Sequence, residues 1–331
     1  MTRQPLVSII LAVCKVEKFI ARSSRALFGQ TYPNIEYIFV DDGTPDNSIG
    51  VMQTVLEDFP ERKPHVRVVH QQNMGLPAAR QTGLKYATGD FVLFSDPDDW
   101  CKTTLVEKLV TAAVREDADI AICNYYNAYR FYNILRREKK YPTKQQTMRA
   151  MLCHHHFRGY VWDKLVKREL YTDIPRFTPT LDQCEDLILT VQTVGCCRKY
   201  VHIKDRLCYY RKNNPNSLTK RDRRMRTEET VTSTMMLYEA WQGVSPSPFD
   251  GVEIPFLLMN AAQIINSALP HLFGRFPVIE SKVRDIILSF PSREYKIDIP
   301  LKDQKAIRKR YELYLSTGVL PMPRIKKNVK R

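Results

Sequence analysis

The first 124 residues alternate between short apolar runs and longer segments in which apolar residues recur at helical spacing. The runs predict strands at 6–13, 35–40, 66–70, 91–94 and 120–124, and the segments predict helices at 16–28, 49–59, 76–87 and 105–114. This alternation is typical of βαβ units, which place parallel strands side by side and helices on both faces of the sheet. We therefore predict a Rossmann-like α/β fold with a mostly parallel sheet flanked by helices.

The pattern changes after residue 211. Residues 222–316 predict helices that are separated by proline-containing stretches. A chain of 331 residues has room for one α/β domain and a smaller unit. We predict a boundary near 216–222, which divides the chain into an α/β domain at 1–218 and a helical C-terminal region with a basic tail at 219–331.

The chain is strongly basic, with 51 Lys and Arg against 36 Asp and Glu and a net charge of +15. Such a balance favours an anionic partner, namely nucleic acid, a phospholipid surface or a phosphorylated substrate. Basic residues are concentrated at 324–331. This tail favours peripheral attachment to an anionic membrane, and an ordinary solvated tail explains it equally well.

The cysteines and the longest apolar stretch indicate the compartment. Eight cysteines occur without a CxxC pair, which argues against a zinc site and against a disulfide framework. Residues 254–273 are apolar but are interrupted by Asn260, Gln263, Asn266 and Pro270, so they do not predict a membrane-spanning helix. We expect a cytoplasmic protein, with burial of 254–272 more plausible than membrane docking.

Carboxylates crowd the end of the strand predicted at 91–94. Asp96 and Asp98 are two residues apart, so in an extended chain their side chains leave the same face and can converge on one cation. Ligands of open α/β sheets bind beyond the carboxyl ends of the strands. The pair therefore predicts a Mg²⁺ or Mn²⁺ site shared with a diphosphate, whereas the alternative is that Asp98 and Asp99 cap the following helix.

Two earlier strand ends carry polar residues as well. Asp41 and Asp42 precede Gly43, where a carboxylate could accept a hydrogen bond from a base or a ribose, although an ordinary Asp-Gly turn would have the same sequence. The segment from Asn73 to Arg80 is a tight loop that enters a helix and carries a cation, which suits phosphate oxygens. Neither GxGxxG nor GxxxxGK[ST] occurs in the chain.

Three further segments are candidates for function. Glu185 and Asp186 begin an apolar helical run, where a carboxylate could act as a general base or could simply complement the helix dipole. Residues 125–140 interleave Tyr and Arg, which could stack on bases or sugars, and we favour a helix lying on the sheet. Residues 154–156 are three histidines whose spacing does not suit one metal.

Several of these segments, taken in order, resemble the family 2 glycosyltransferases of the GT-A fold. The matching pieces extend over about two-thirds of the chain: Val7 to Ile10, Val16 to Lys18, Gln30 to Glu36, Val40 to Gly43, Asn73 to Arg80, Asp96 to Trp100, Trp162 to Leu165, Glu185 with Asp186, and Tyr209 to Arg211.

The resemblance implies roles for several residues of the site. Asp96 and Asp98 correspond to the DxD element that holds Mn²⁺ or Mg²⁺, and Asp186, with Glu185 beside it, corresponds to the catalytic base. The acceptor or the diphosphate lies near Trp162, Lys164 and Arg211. The residues expected to bind the nucleotide-sugar are Ala12, Val13, Glu17, Asp41, Asp42, Asn73, Gly75, Arg80 and Asp96.

The implied activity is transfer of a sugar, with inversion, from a UDP-sugar-like donor to a glycan or lipid-linked acceptor, as in cell-surface polysaccharide synthesis. The first strand ends in Cys14 and Lys15 rather than in the family's usual Tyr-Asn, which leaves the donor base open. A nucleotidyltransferase of related fold is one alternative, and a non-catalytic anion-binding or nucleic-acid-binding protein is another. With the glycosyltransferase as the leading hypothesis, we expect no nucleic-acid partner.

Overall fold

The computed structural model describes residues 4–137, 139, 141–153, 158–173, 184–214, 222–245, 247–291 and 299–320. Its strands are β1 Val7–Val13, β2 Ile35–Asp42, β3 Val66–Gln71, β4 Phe91–Phe94, β5 Trp100–Cys101, β6 Ile120–Ala128, β7 Asn133–Arg136, β8 Lys164–Lys167 and β9 Tyr200–Arg211.

Twelve α-helices lie in the described part of the chain. They are α1 Glu17–Phe28, α2 Ser48–Leu56, α3 Leu76–Tyr86, α4 Leu105–Arg115, α5 Lys144–Leu152, α6 Glu169–Thr172, α7 Glu185–Cys196, α8 Arg223–Ala240, α9 Glu253–Ser267, α10 His271–Arg275, α11 Pro277–Leu288 and α12 Leu301–Thr317, and a 3-10 helix spans Pro60–His65.

All nine strands form one sheet in the order β3-β2-β1-β4-β8-β6-β9-β5, and β7 pairs with β6. The first four strands are parallel to one another. β8 is antiparallel to both β4 and β6, whereas β6 and β9 are parallel. The predicted α/β fold is confirmed. The sheet is mixed because β8, near the centre of the sheet, and the short strands β5 and β7 run antiparallel to their neighbours.

Alternate residues of the central strands enter two separate cores, as the two-residue period of a strand requires. Ile10 and Phe94 belong to the core that includes α3, α5 and α7, whereas Ile9 and Leu93 belong to the core beneath α1 and α4. Both faces of the sheet are covered by helices. The apolar runs of the sequence are continuous because neither face meets water.

The predicted C-terminal helices are present as α8 to α12, and they extend the first of these cores. Trp241, the residue that follows α8, donates from Nε1 to Oε1 of Gln192 in α7 at 3.2 Å. In α9 the apolar side chains of Phe256, Leu257 and Ile265 are buried, as expected for packing rather than membrane docking. No helix in the described ranges is long and apolar enough to cross a membrane. The boundary at 218/219 stays a prediction.

The helix predicted for 125–140 is wrong. β6 continues to Ala128, a turn follows, and β7 returns along it from Asn133 to Arg136. The short strands β5, β7 and β8 and the long strand β9 were not predicted as strands. The histidines at 154–156 and the tail at 324–331 lie outside the described residues.

Candidate active site

The carboxyl ends of β1, β2 and β3 lie side by side because these strands are parallel and in close register. Val13 pairs with Asp41, Asp41 pairs with His70, and Asp42 pairs with Gln71. Ala12 lies one position earlier, opposite Val40. The predicted donor-binding residues of the first two strands therefore meet at one edge of the sheet.

Asp42 fixes the loop that follows β3. Its buried carboxylate accepts hydrogen bonds from the backbone N–H groups of Met74 at 2.9 Å and of Gly75 at 3.0 Å. Gly75 has a φ of 85°, a conformation that residues with a Cβ rarely adopt, at the residue that precedes α3. Asn73 in the same loop contacts the Cys14 sulfur, with 3.3 Å between Nδ2 and Sγ. The loop is thereby tied to the ends of both β1 and β2.

Asp41 lies at the surface of this edge with its side chain 16% exposed. Its Oδ1 accepts from the Thr44 N–H at 2.9 Å, as in the Asp-Gly turn that was the alternative interpretation. Its Oδ2 lies 2.8 Å from Nδ1 of His70, a partner that the sequence did not indicate. Glu17, in the first turn of α1, accepts from the Asn47 N–H at 3.0 Å and so faces the loop after β2.

Arg80 is the centre of the acidic half of the site. It lies in the second turn of α3, its side chain is 3% exposed, and it donates to three carboxylates. The distance from Nη2 to Oδ1 of Asp96 is 3.0 Å, and that from Nη1 to Oε1 of Glu185 is 3.0 Å. Nη1 also donates to Asp186. One guanidinium therefore joins the end of β4 to the start of α7.

One positive charge does not neutralise three carboxylates, and the pKa values of Arg80, Glu185 and Asp96 depart from their ordinary values. Burial alone would lower the pKa of Arg80, but the carboxylates, Asp186 foremost, raise it overall, so the guanidinium stays charged. Burial and then the charge of Asp186 raise the pKa of Glu185 well above its ordinary value. Burial raises the pKa of Asp96 to about 6 despite the opposing charge of Arg80. The cluster therefore favours retention of a proton.

Arg80 was expected to contact phosphate oxygens. In the structure its Nη1 and Nη2 atoms face carboxylates instead, and its guanidinium carbon lies 5.5 Å from the centre of the Phe94 ring. A phosphate at this position would have to displace carboxylate partners. The contacts of Arg80 therefore favour a role in positioning the acidic residues.

Asp98 and Asp99 connect the end of β4 to the end of β9. Oδ1 of Asp99 accepts from the Arg211 N–H at 2.7 Å, and Nε of Arg211 donates to the Asp98 carbonyl at 2.7 Å. Oδ2 of Asp98 accepts from Asn214 at 2.7 Å. The helix α4 begins later, at Leu105, and its N-cap Thr104 makes no side-chain cap. The alternative that Asp98 and Asp99 cap this helix is therefore wrong.

The carboxylates at this edge fit a divalent ion that is held partly by a ligand. Oδ2 of Asp99 is buried, and no described residue donates a hydrogen bond to it. Within the described ranges, no group of three or more His, Cys, Asp or Glu side chains is arranged to hold a metal by itself. Mg²⁺ is commonly held by one or two carboxylates together with substrate phosphates and water, and Asp96 and Asp98 are suited to that arrangement.

Trp162 and Lys164 have different surroundings. Trp162 shares a cavity with Asp96, Asp99 and Trp100, and it stacks on Tyr210 with ring centres 5.6 Å apart. Lys164 is 1% exposed, and its Nζ donates to the carbonyls of residues 158 and 160 and to Oδ1 of Asp163. Trp162 and Arg211 therefore lie at the acidic edge, whereas these contacts give Lys164 a structural role in holding the 158–160 segment.

Three residues at this edge were not predicted from the sequence as site residues. Asp99 was visible as the last member of an acidic run, and it entered the alternative interpretation as a helix cap. His70 and Asn214 carried no signal in the sequence, because their partners Asp41 and Asp98 are 29 and 116 residues away along the chain.

Comparisons with known proteins agree with this architecture. The sequence model of the family described as "Glycosyl transferase family 2" matches residues 8–181, which is more than half of the chain. The uncharacterized glycosyltransferase EpsJ of Bacillus subtilis (strain 168) is 29% identical over 321 residues, covering 92% of this chain and 90% of that protein.

Two solved structures have a similar fold. S. aureus TarS 1-349 in complex with UDP-GlcNAc superposes with a TM-score of 0.60 and 15% identity, covering 93% of this chain and 92% of that one. The mannosyltransferase PcManGT of Pyrobaculum calidifontis, in complex with GDP-Man and Mn²⁺, superposes with a TM-score of 0.53 and 16% identity over 96% and 82% of the two chains. The family match covers the strand ends that carry Asp41, Asp42, Asp96 and Asp98, and the chain belongs to glycosyl transferase family 2.

Proposed function

We propose that this glycosyltransferase transfers a sugar from a UDP-sugar to a saccharide or lipid-linked acceptor, with inversion, in the synthesis of a cell-surface polysaccharide. One observation carries the proposal. Arg80 holds Asp96, at the end of β4, and Asp186, at the start of α7, on the same guanidinium. A residue suited to a diphosphate-bound cation and a residue suited to proton abstraction are therefore both held by the buried Arg80 side chain.

The donor would occupy the edge formed by the ends of β1, β2 and β3. Asp41 and Asp42 end β2, and the Asn73–Gly75 loop is fixed against Asp42 by two backbone hydrogen bonds. The nucleotide-sugars bound by TarS and PcManGT support a donor of this class. Asp41, with its partly exposed carboxylate, is the residue we assign to the base or the ribose.

Asp96 and Asp98 would hold Mn²⁺ or Mg²⁺. When bound, the ion would neutralise the negative charge that develops on the leaving diphosphate. The Mn²⁺ in the PcManGT complex supports a metal-dependent reaction. Arg211, whose N–H and Nε bond to Asp99 and to the Asp98 backbone, would keep the two acidic residues at the end of β4.

Asp186 would be the general base. Its carboxylate takes the proton of an acceptor hydroxyl while the hydroxyl oxygen forms a bond to the anomeric carbon. The bond between that carbon and the diphosphate oxygen breaks, and its electron pair leaves with the nucleoside diphosphate. The neighbouring Glu185 shares the Arg80 guanidinium and, with its raised pKa, is the weaker candidate for an ionised base.

A donor screen tests this function. The full chain is incubated with UDP-sugars and Mn²⁺, and release of UDP and thermal stabilisation are measured. We expect Asp186→Asn to lower turnover by about 10²- to 10⁴-fold while stabilisation by UDP and Mn²⁺ is retained. Glu185→Gln is the matched control, because it removes the adjacent carboxylate from the same cluster.

Three results would contradict the proposal. Release of pyrophosphate rather than a nucleoside diphosphate would indicate a nucleotidyltransferase. Salt-sensitive retention of DNA or RNA, without stabilisation by UDP and Mn²⁺, would indicate a nucleic-acid-binding protein. A larger loss of turnover in Glu185→Gln than in Asp186→Asn would remove Asp186 as the base.

A further inference from the structure

The hairpin formed by β6 and β7 exposes apolar side chains at its tip. The turn is closed by a 2.9 Å hydrogen bond from the Tyr129 N–H to the Tyr132 carbonyl. Phe131 is 86% exposed, Tyr132 is 58% exposed and Ile134 is 38% exposed. Three large hydrophobic residues within four positions form a concentrated apolar surface, which on a soluble protein commonly marks an interaction site.

The same hairpin is strongly cationic. Residues 125–140 contain five Lys and Arg residues and a single acidic residue. Arg130, Arg136 and Arg137 are exposed, and the Arg130 guanidinium lies 5.2 Å from the centre of the Phe131 ring. Apolar and aromatic side chains bordered by arginines complement the boundary between lipid tails and anionic headgroups.

The hairpin also lies beside the acidic edge of the active site. Ala128, the last residue of β6, pairs with Arg211 of β9, and Nε of Arg211 donates to the Asp98 carbonyl. The N–H of Lys212 donates to the Ala128 carbonyl at 2.9 Å, which adds a cation at the base of the hairpin. A surface that bound the tip would therefore be held close to Asp98.

We propose that the tip of the hairpin, Tyr129 to Arg137, inserts into the headgroup region of an anionic lipid bilayer. This inference rests on the proposed function, because the inserted hairpin would present the active-site edge to an acceptor carried on a lipid. A saccharide is a weaker fit than a bilayer, because Phe131 is 86% exposed and little of the described protein surface covers it. The net positive charge of residues 125–140 favours an anionic lipid surface over a neutral one.

Vesicle sedimentation of the full chain tests the proposal. We expect the protein to sediment with phosphatidylglycerol vesicles and to remain in solution with phosphatidylcholine vesicles. Phe131→Ser with Tyr132→Ser should weaken binding roughly tenfold or more, because the variant lacks the two apolar side chains that would be buried in the bilayer. The matched control is Val114→Ser with Met225→Ser, which removes residues 55% and 57% exposed on α4 and α8.

A second pair of variants tests the charge. Arg136→Gln with Arg137→Gln should weaken binding to phosphatidylglycerol vesicles by roughly tenfold or more. Lys85→Gln with Arg115→Gln removes the same charge from exposed positions on α3 and α4 and should have a smaller effect. The basic tail is present in every variant, so its contribution to binding cancels in the comparison.

Three results would overturn the proposal. The first is failure of the wild-type chain to bind phosphatidylglycerol vesicles. The second is an equal loss of binding in the hairpin variants and in their controls. The third is conversion of a dimer to a monomer by the Phe131 and Tyr132 changes without an effect on vesicle binding. Release of UDP from a soluble donor should be unchanged in the hairpin variants. An inactive wild-type chain that still binds vesicles through the hairpin would contradict the proposed function and leave this inference intact.

Discussion

The Nη2 atom of Arg80 lies 3.0 Å from Oδ1 of Asp96, and this ion pair joins α3 to the end of β4. The same guanidinium reaches Glu185 and Asp186 in α7. Because the three carboxylates come from two distant parts of the chain, the arrangement of the site depends on one buried side chain.

Arg80→Met should strongly destabilise the protein. Removal of the guanidinium leaves three carboxylates near one another without their cation, and breaking a buried charge network of this kind lowers the free energy of unfolding by about 3–5 kcal/mol. Denaturant unfolding measures the change. Arg115→Met is the control, because its pairing with Glu116 is exposed and contributes little to stability. Similar losses in both variants would contradict the central role of Arg80.

Asp98→Ala should remove metal-dependent activity. If Asp98 is a metal ligand, release of UDP should fall at least about 100-fold, because metal stabilisation of the leaving group is worth several kcal/mol. Thermal stabilisation by UDP with Mn²⁺ should also be lost. Asn214→Ala removes a hydrogen-bond donor to Asp98 but keeps the Asp98 carboxylate, and it should have a smaller effect. Unchanged turnover in Asp98→Ala would eliminate the metal assignment.

Glu185 should make the stability of the protein depend on pH. Burial raises the pKa of Glu185 well above its ordinary value of 4.5, so the folded protein binds this proton more tightly than the unfolded chain does. Its contribution to the free energy of unfolding is therefore full below pH 4.5 and is lost as the pH rises through the folded-state pKa. Urea unfolding in metal-free buffer at several pH values measures it. Glu185→Gln should reduce the decrease in unfolding free energy with rising pH. Asp117→Asn, at a position 81% exposed, should leave that pH dependence unchanged.

Lys164→Met separates a structural role from an acceptor-binding role. The ammonium group is buried with Asp163, so its loss removes one partner of a buried ion pair and should cost about 3–5 kcal/mol of unfolding free energy. Lys108→Met, which breaks an exposed pair with Asp205, should cost about 0–1 kcal/mol. A folded, stable Lys164→Met protein with a raised KM for the acceptor would instead support the original expectation of contact with the acceptor.

The parallel half of the sheet was predictable because its strands are buried on both faces and therefore form continuous apolar runs. The antiparallel half was harder. β8 contains only four residues and includes Lys164, whose charge becomes acceptable only when Asp163 folds against it. Residues 125–137 have the aromatic and arginine content of many surface helices. Pairing of 125–128 with β9 and of 133–136 with β6 overrides that local tendency.

The site residues at the strand ends were predictable from the sequence, whereas the contacts between residues of different elements were not. The topology of parallel strands places Asp41 and Asp96 at one edge, which is a local inference from pattern. The meeting of Arg80 with Glu185, 105 residues later in the chain, is a tertiary contact that no spacing rule provides. Only the resemblance to a known family had associated Asp186 with the same site.

The reversal of the sheet at β8 has a consequence for engineering. Under the proposed function, recognition of the nucleotide lies in loops on one side of β4, whereas the hairpin that we propose to insert into lipid lies on the other side, next to β6 and β9. Choice of donor and attachment to a membrane are therefore carried by separate parts of the sheet. Exchange of residues 129–136 for the hairpin of a relative should change the lipid surface to which the enzyme attaches while preserving its choice of activated sugar.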